Sequence, residues 1–256
     1  MSITGLTASK FAREAQLPPV AREITEFEAP PVTFDPSKDE AWVVGPQIFS
    51  FVQGVTAERR EMISTSALFA SLAADAATQG IKSAAWYTAY SNALTNLGWV
   101  LQQTTRRSFD QEHTGSKVHE AVIEFIAALG VGGAALTIIT AALKAMQKVS
   151  DNKPWITLFD RQTRSEDITG FQVGLVEQKA EGDFQVKLMS FSLKLAQINT
   201  QVLFIDFATF GVHMDSIGST VTVSDAVLKE ALPALKERLK AYVRSYVSKV
   251  KLPPLP

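Results

Sequence analysis

The chain has 256 residues, 25 basic and 26 acidic side chains for a net charge of −1, 46% hydrophobic residues and no cysteine. That length buries a substantial core in one large domain or two small ones. The near-zero charge excludes a global field toward nucleic acid or anionic lipid, so any electrostatic targeting is local. Without cysteine, disulfides, thiol catalysis and thiolate metal sites are excluded as well. Residues 1–20 hold no apolar h-region, which leads to the expectation of a chain made in the cytosol without a signal peptide.

Residues 1–36, with Pro18, Pro19, Pro30, Pro31 and Pro36, read as a flexible arm in which 20–27 and 32–34 have an extended look. Residues 41–55 and 58–77 carry apolar side chains at three- and four-residue spacing and are predicted as helices, punctuated by Gly54 and Gly80. The pattern continues over 82–105, with Trp86, Tyr90, Leu94, Leu97 and Leu101 along one side, and 106–115 reads as a polar loop. A further helix is predicted from near Ser116 to Ser150, kinked at the Gly130, Gly132, Gly133 cluster.

Within it, residues 125–143 form an uncharged run of nineteen. As a helix it would reach about 29 Å, just the hydrocarbon thickness of a bilayer. Its strongly apolar members favour insertion by about 0.3–0.6 kcal/mol each, against the glycines and threonines among them. The run therefore fits either a membrane span or a core helix.

After Pro154 the hydrophobic period falls from 3.6 to 2. Residues 155–159 are predicted as a short strand, 160–170 as a charged loop or hairpin turn, and 171–178, 184–196 and 201–214 as three long strands, with 221–223 as one more. Ser224 and Asp225 suit a helix start, and 226–250 reads as a long basic helix before a proline-rich tail at 251–256. This order predicts one α/β domain of the α+β type over 37–250, with three layers: a central antiparallel sheet covered on both faces by α-helical hairpins. In such a fold the run 125–143 is apolar because it is sandwiched between the sheet and other helices.

The stretches VIEFIAALGVGGAALTIITAALKAMQ, NKPWITLFDRQTRS, FQVGLVEQ, VKLMSFSLKL and QVLFIDFATFGVHM, in that order, resemble the Cyt-type cytolytic δ-endotoxins and the related mushroom volvatoxin. The match includes a tryptophan-led strand at Trp155 and an aromatic-rich strand at Val202, Leu203, Phe204 and Ile205. The arm VAREITEFEAPP looks like the family's N-terminal strand, which takes part in dimer exchange. The resemblance implies a membrane-active cytolysin with no catalytic residues and no cofactor or metal, released to act on target-cell membranes. Its helical layers would swing aside at the lipid surface, and long strands would insert and oligomerise. Its partners would then be a lipid membrane and further copies of itself, as a homodimer or larger oligomer.

On this reading the inserting residues are Phe184, Val186, Leu188, Met189, Phe191 and Leu193 in one strand, and Val202, Leu203, Phe204, Ile205, Phe207 and Phe210 in the next. Lys187, Lys194 and Asp206 interrupt these strands, as the polar lining of a pore, as solvated strand ends, or, for Asp206, as a paired carboxylate. In the last helix Lys236, Arg238, Lys240, Arg244, Lys249 and Lys251 are candidate contacts to lipid headgroups or a sulfated glycan, the alternative being the solvated face of a docked helix. His113 and His119, beside Glu112 and Glu120, follow no metal-ligand spacing, and nothing points to nucleic acid. A second class of function stays open, a non-lytic lipid- or glycan-binding, self-assembling protein on the same fold.

Overall fold

The computed structural model describes residues 4–20, 33–109, 117–131, 133–147, 154–165, 168–178, 184–194, 202–205, 207, 211–250 and 252. Trp155, Phe184, Val202 and Arg244 lie in described backbone, but their side chains do not; Asp206, Phe210 and Lys251, and most of 20–27 and 32–34, lie outside the described residues.

The arm contains a helix. Thr4 caps α1 (Gly5–Glu14) by accepting from the Thr7 amide at 3.2 Å, and Ala8 and Ala12 are buried in the core that the last long helix shares. Residues 41–55, expected to be helical, form instead a hairpin of β1 (Glu40–Val44) and β2 (Gln47–Phe51), turned at Gly45 and Pro46. Both strands are buried on both faces, so their apolar run has no period of 2 to mark it as a strand. α2 (Ala57–Thr78) follows, capped by Thr56, and then α3 (Ala84–Asn96). Contrary to the predicted helix and loop, 99–109 is an eleven-residue strand, β3 (Trp99–Phe109).

The uncharged run is two helices. α4 (Val118–Ala128) stops at Gly130, whose φ of 66° lies in the left-handed region, and α5 (Gly133–Gln147) resumes beyond it. Neither reaches bilayer length, and among the described residues no helix is long and apolar enough to cross a membrane. The expected strand at 155–159 is also a helix, α6 (Pro154–Thr163), with Pro154 in the first-turn position where its missing N–H has no partner to lose. Next come β4 (Ile168–Gln178), which begins three residues before its predicted start, and β5 (Phe184–Lys194).

Among the described residues of the strand expected at 201–214, only His213 and Met214 are in a strand: Val202–Phe204 is a 3₁₀ turn, and His213 and Met214 open β6 (His213–Val223), which absorbs the short strand predicted at 221–223. After Ser224, which caps it, α7 (Asp225–Leu239) ends well before Val250; a single helical turn, α8 (Val243–Tyr246), leads into β7 (Val247–Val250).

These strands form one seven-stranded sheet in the order β3-β6-β5-β4-β2-β1-β7. Every neighbouring pair is antiparallel except β2 and β4, which run parallel because α2 to α6 intervene between them. The sheet is therefore mixed where an antiparallel one was expected, but the three layers are as predicted. Side chains from α1, α2, α3 and α7 share one core with Trp42, Phe49, Val176, Val186 and Val221 of the sheet. Side chains from α4, α5 and α6 share the other with Val43, Phe171, Val173, Met189 and Phe191. Three of the four tryptophans are buried with a partner for each indole N–H: Trp42 on Glu40, Trp86 on Asp75 and Trp99 on Ser66.

Candidate functional site: a two-faced sheet under a helical cover

β3, β4, β5 and β6 are each eleven residues long and lie side by side as an antiparallel block. Alternation sorts their side chains. On the face toward α4 and α5, β4 places Phe171, Val173 and Leu175, and β5 places Met189, Phe191 and Leu193, all fully buried. Phe171 and Phe191 stack at 5.0 Å, and Phe125 of α4 meets Phe191 edge-on at 5.8 Å. On the opposite face the same strands carry Gln172, Ser190 and Ser192 beside Val176, Val186 and Leu188.

The predicted inserting residues are thus divided. Met189, Phe191 and Leu193 lie together under α4 and α5, whereas Val186 and Leu188 belong to the other core. Leu203, Ile205 and Phe207 are buried and not in a strand at all: Leu203 and Ile205 serve as carbonyl acceptors for the start of α4. A short apolar run of this kind suits a strand or a buried turn equally, and here the turn prevails because α4 needs a floor at its N-terminus.

Besides the Val118 amide on the Ile205 carbonyl, side-chain polar contacts tie α4 to what lies beneath it at three places. At its start, the buried His119 places Nδ1 3.2 Å from the Leu203 carbonyl and its ring 5.1 Å from that of Phe204. Burial pushes the His119 pKa below the ordinary imidazole value, opposed by the nearby Glu120. In its middle, Glu124 pairs with Arg107 of β3 at 2.6 Å. At its end, Lys187 of β5 donates from Nζ to the Gly130 carbonyl at 2.8 Å, next to the Leu129 carbonyl at 3.5 Å.

Lys187 therefore interrupts the apolar face of β5 because it caps the orphaned carbonyls of a helix C-terminus. The clue was in the sequence: Lys187 is two residues from Met189 and so shares its face. Beside it, Leu129 lies over Gly218 of β6, where a Cβ would come within 2.4 Å of the leucine Cδ1. Only a glycine lets the helix end approach this closely.

The basic side chains of the C-terminal region do not form one free stripe. Lys236 pairs with Glu61 at 2.7 Å, and Lys229 with Glu58 at 2.9 Å, both on α2. Arg238 donates to the carbonyls of Ala12, Arg13 and Ala15, closing the C-terminus of α1. Lys249 sits in β7, bonds to Glu40 and lies 5.5 Å from the Trp42 ring. Lys240 is exposed just after α7.

The sequence reading also missed a buried ion pair. Arg60 is fully buried, donating to Glu40 at 2.8 Å and to the carbonyls of Lys38, Val52 and Val55, each at 2.9 Å. Glu40 additionally accepts from Trp42, the Asp35 amide and Lys249. Among the described residues no cluster of histidine and carboxylate groups is placed to hold a metal.

The sequence matches no protein-family profile and no curated protein. Among solved structures the chain is similar to the activated Cyt2Ba monomer from Bacillus thuringiensis subsp. israelensis, at 15% identity over 53% of this chain and 80% of that one, with a TM-score of 0.34. It is similar to a delta-endotoxin at 13% identity over 81% of this chain and 91% of the other, TM-score 0.40. A third is the Evf virulence factor, at 8% identity over 90% and 89%, TM-score 0.30. At these identities the likeness is one of fold: a single sheet set among helices.

Proposed function

We propose that this chain is a membrane-active cytolysin. In water, α4 and α5 cover the apolar face of β4 and β5. At a lipid surface, after release from the producing cell, that cover lifts, the long strands enter the bilayer, and several copies associate to permeabilise it. The observation that carries this reading is the two-faced character of β4 and β5. One face is a band of six large apolar side chains, and the other carries glutamine and serine hydrogen-bonding groups.

Eleven residues extend about 36 Å, which at a tilt near 45° crosses about 26 Å, enough for the apolar core of a bilayer. Inserted strands must pair along both edges to satisfy their backbone, which is why assembly belongs to the proposal. The closure of α4 on polar contacts as well as apolar ones supports a cover with discrete attachments.

Release of a trapped dye from phosphatidylcholine vesicles, with and without anionic lipid, tests it. Leakage at sub-micromolar to micromolar protein is expected; intact vesicles across these compositions would overturn it. A second reading, non-lytic docking to lipid or glycan, is favoured by the exposed charges on β6 and β3, namely Asp215 and Arg106. Vesicle binding without leakage selects it.

A further inference from the structure

We propose that the hydroxyl-lined groove between α3 and the β5-β6-β3 end of the sheet is a binding site for an acidic sugar. The groove lies on the face opposite α4 and has a volume of about 640 Å³, within the range of small-ligand sites. It is independent of the membrane reading, since neither the apolar face nor its cover takes part.

Strand register builds the floor. Ser192, Asp215 and Ser108 stand opposite one another in one row, and Ser190, Ile217 and Arg106 in the next. Ser219 and Thr104 continue it, their hydroxyls 3.4 Å apart. α3 forms the wall with Tyr87 and Asn92, and the Tyr87 hydroxyl donates to the Phe191 carbonyl and so closes the inner side.

The groups match one chemistry. Asp215 uses Oδ1 for the Ser108 hydroxyl at 2.6 Å, with His213 Nε2 at 3.4 Å, which leaves Oδ2 to accept a ligand hydroxyl. Ser190 and Ser192 have no protein partner among the described residues, and neither does the exposed Arg106 guanidinium. Directly opposite Ser190 in β4, Gln172 is fully buried with both amide atoms unpaired, so unmet hydrogen-bonding capacity continues inward from the floor. Ile217 supplies an apolar patch at the centre.

A saturated ring carrying several hydroxyls and one carboxylate uses all of these: hydroxyls on the serines and Asp215, carboxylate on Arg106, and the C–H face on Ile217. The guanidinium favours the carboxylate because it can bond it through two N–H groups. A single carboxylate is too few for a divalent cation, and one tyrosine wall offers no sandwich for a nucleobase.

The test is saturation-transfer NMR and calorimetry on the full chain with four probes: methyl β-D-glucuronide, N-acetylneuraminic acid, methyl β-D-glucoside and sodium sulfate. At least one of the two acidic sugars is expected to bind saturably at about millimolar concentration, more tightly than the glucoside. Arg106→Gln should weaken the acidic sugar by about fivefold or more and remove its advantage over the glucoside. Asp215→Asn should weaken both sugars, and Ser190→Tyr should block the groove, each with an unchanged melting temperature. No saturable binding of either acidic sugar, sulfate binding as tightly and displacing the sugar, or unaltered affinity in Arg106→Gln would each overturn the proposal.

Discussion

Replacing Lys187 by methionine removes one attachment of the α4 cover while keeping the apolar stem that packs on the sheet. The ammonium donates to the Gly130 carbonyl at 2.8 Å and approaches the Leu129 carbonyl, at the negative end of a helix. A hydrogen bond to a charged group contributes about 1.5–3 kcal/mol, and the half-exposed setting of Lys187 puts its share at the lower end. A loss of about 1–2 kcal/mol lowers the melting temperature of a chain this size by about 2–8 °C.

The decisive readout is local. Hydrogen exchange across Val118–Ala128 should accelerate more than exchange across β4 and β5, and the protein concentration for half-maximal dye release should fall. Equal stability and unchanged exchange in α4 would refute the reasoning that Lys187 holds the cover.

Arg60→Met breaks a fully buried ion pair and removes a guanidinium donor from three backbone carbonyls, so a loss of about 3–5 kcal/mol is expected by chemical denaturation; a loss below about 1 kcal/mol would contradict that account. His119 gives the protein a pH dependence. Its folded pKa is depressed, so the unfolded chain binds the proton more readily, and stability is full above the unfolded value of about 6.5 and declines as pH falls below it. Lys117 and Lys144 add to this bias and Glu120 opposes it. The drop in melting temperature between neutral pH and pH 5 should therefore shrink in His119→Phe, and an unchanged drop counts against the assignment. Because Lys236 is engaged by Glu61, Lys236→Gln should leave retention on a heparin column almost unaltered; a clear loss of retention would show that this pair opens to ligand.

Elements with one clear period were legible in the sequence. α2, the Ser224 cap of α7, and β4 and β5 follow from apolar spacing and capping residues, and their order was enough to give three layers. Elements buried on both sides were not. EAWVV and QIFSF are apolar throughout, so their side chains fit helical spacing as well as a strand. β3 failed for the opposite reason. It is an edge strand with Gln102, Thr104, Thr105, Arg106, Arg107 and Ser108 exposed, and so it reads as a polar loop.

Leu203, Phe204 and Ile205 are apolar because α4 sits on them, a tertiary fact that no local pattern carries. The candidate site was half visible: Met189, Phe191 and Leu193 follow from alternation. Their separation from Val186 and Leu188 follows from the same alternation, whereas the helix-capping role of Lys187 and the pairing of the basic C-terminal side chains depend on contacts between segments far apart in sequence.

The claim that α4 must leave the sheet before the membrane is breached can be tested by locking it. The Cβ position of Gly218 is 3.3 Å from Leu129 Cγ, so one further C–C bond places the two Cβ positions within about 4.8 Å, close to disulfide geometry. The chain has no other cysteine to interfere. Dye release by the Leu129→Cys, Gly218→Cys double variant should be absent when it is oxidised and return on reduction, with the Leu129→Cys single variant active throughout. Full release by the oxidised, cross-linked protein would contradict the account.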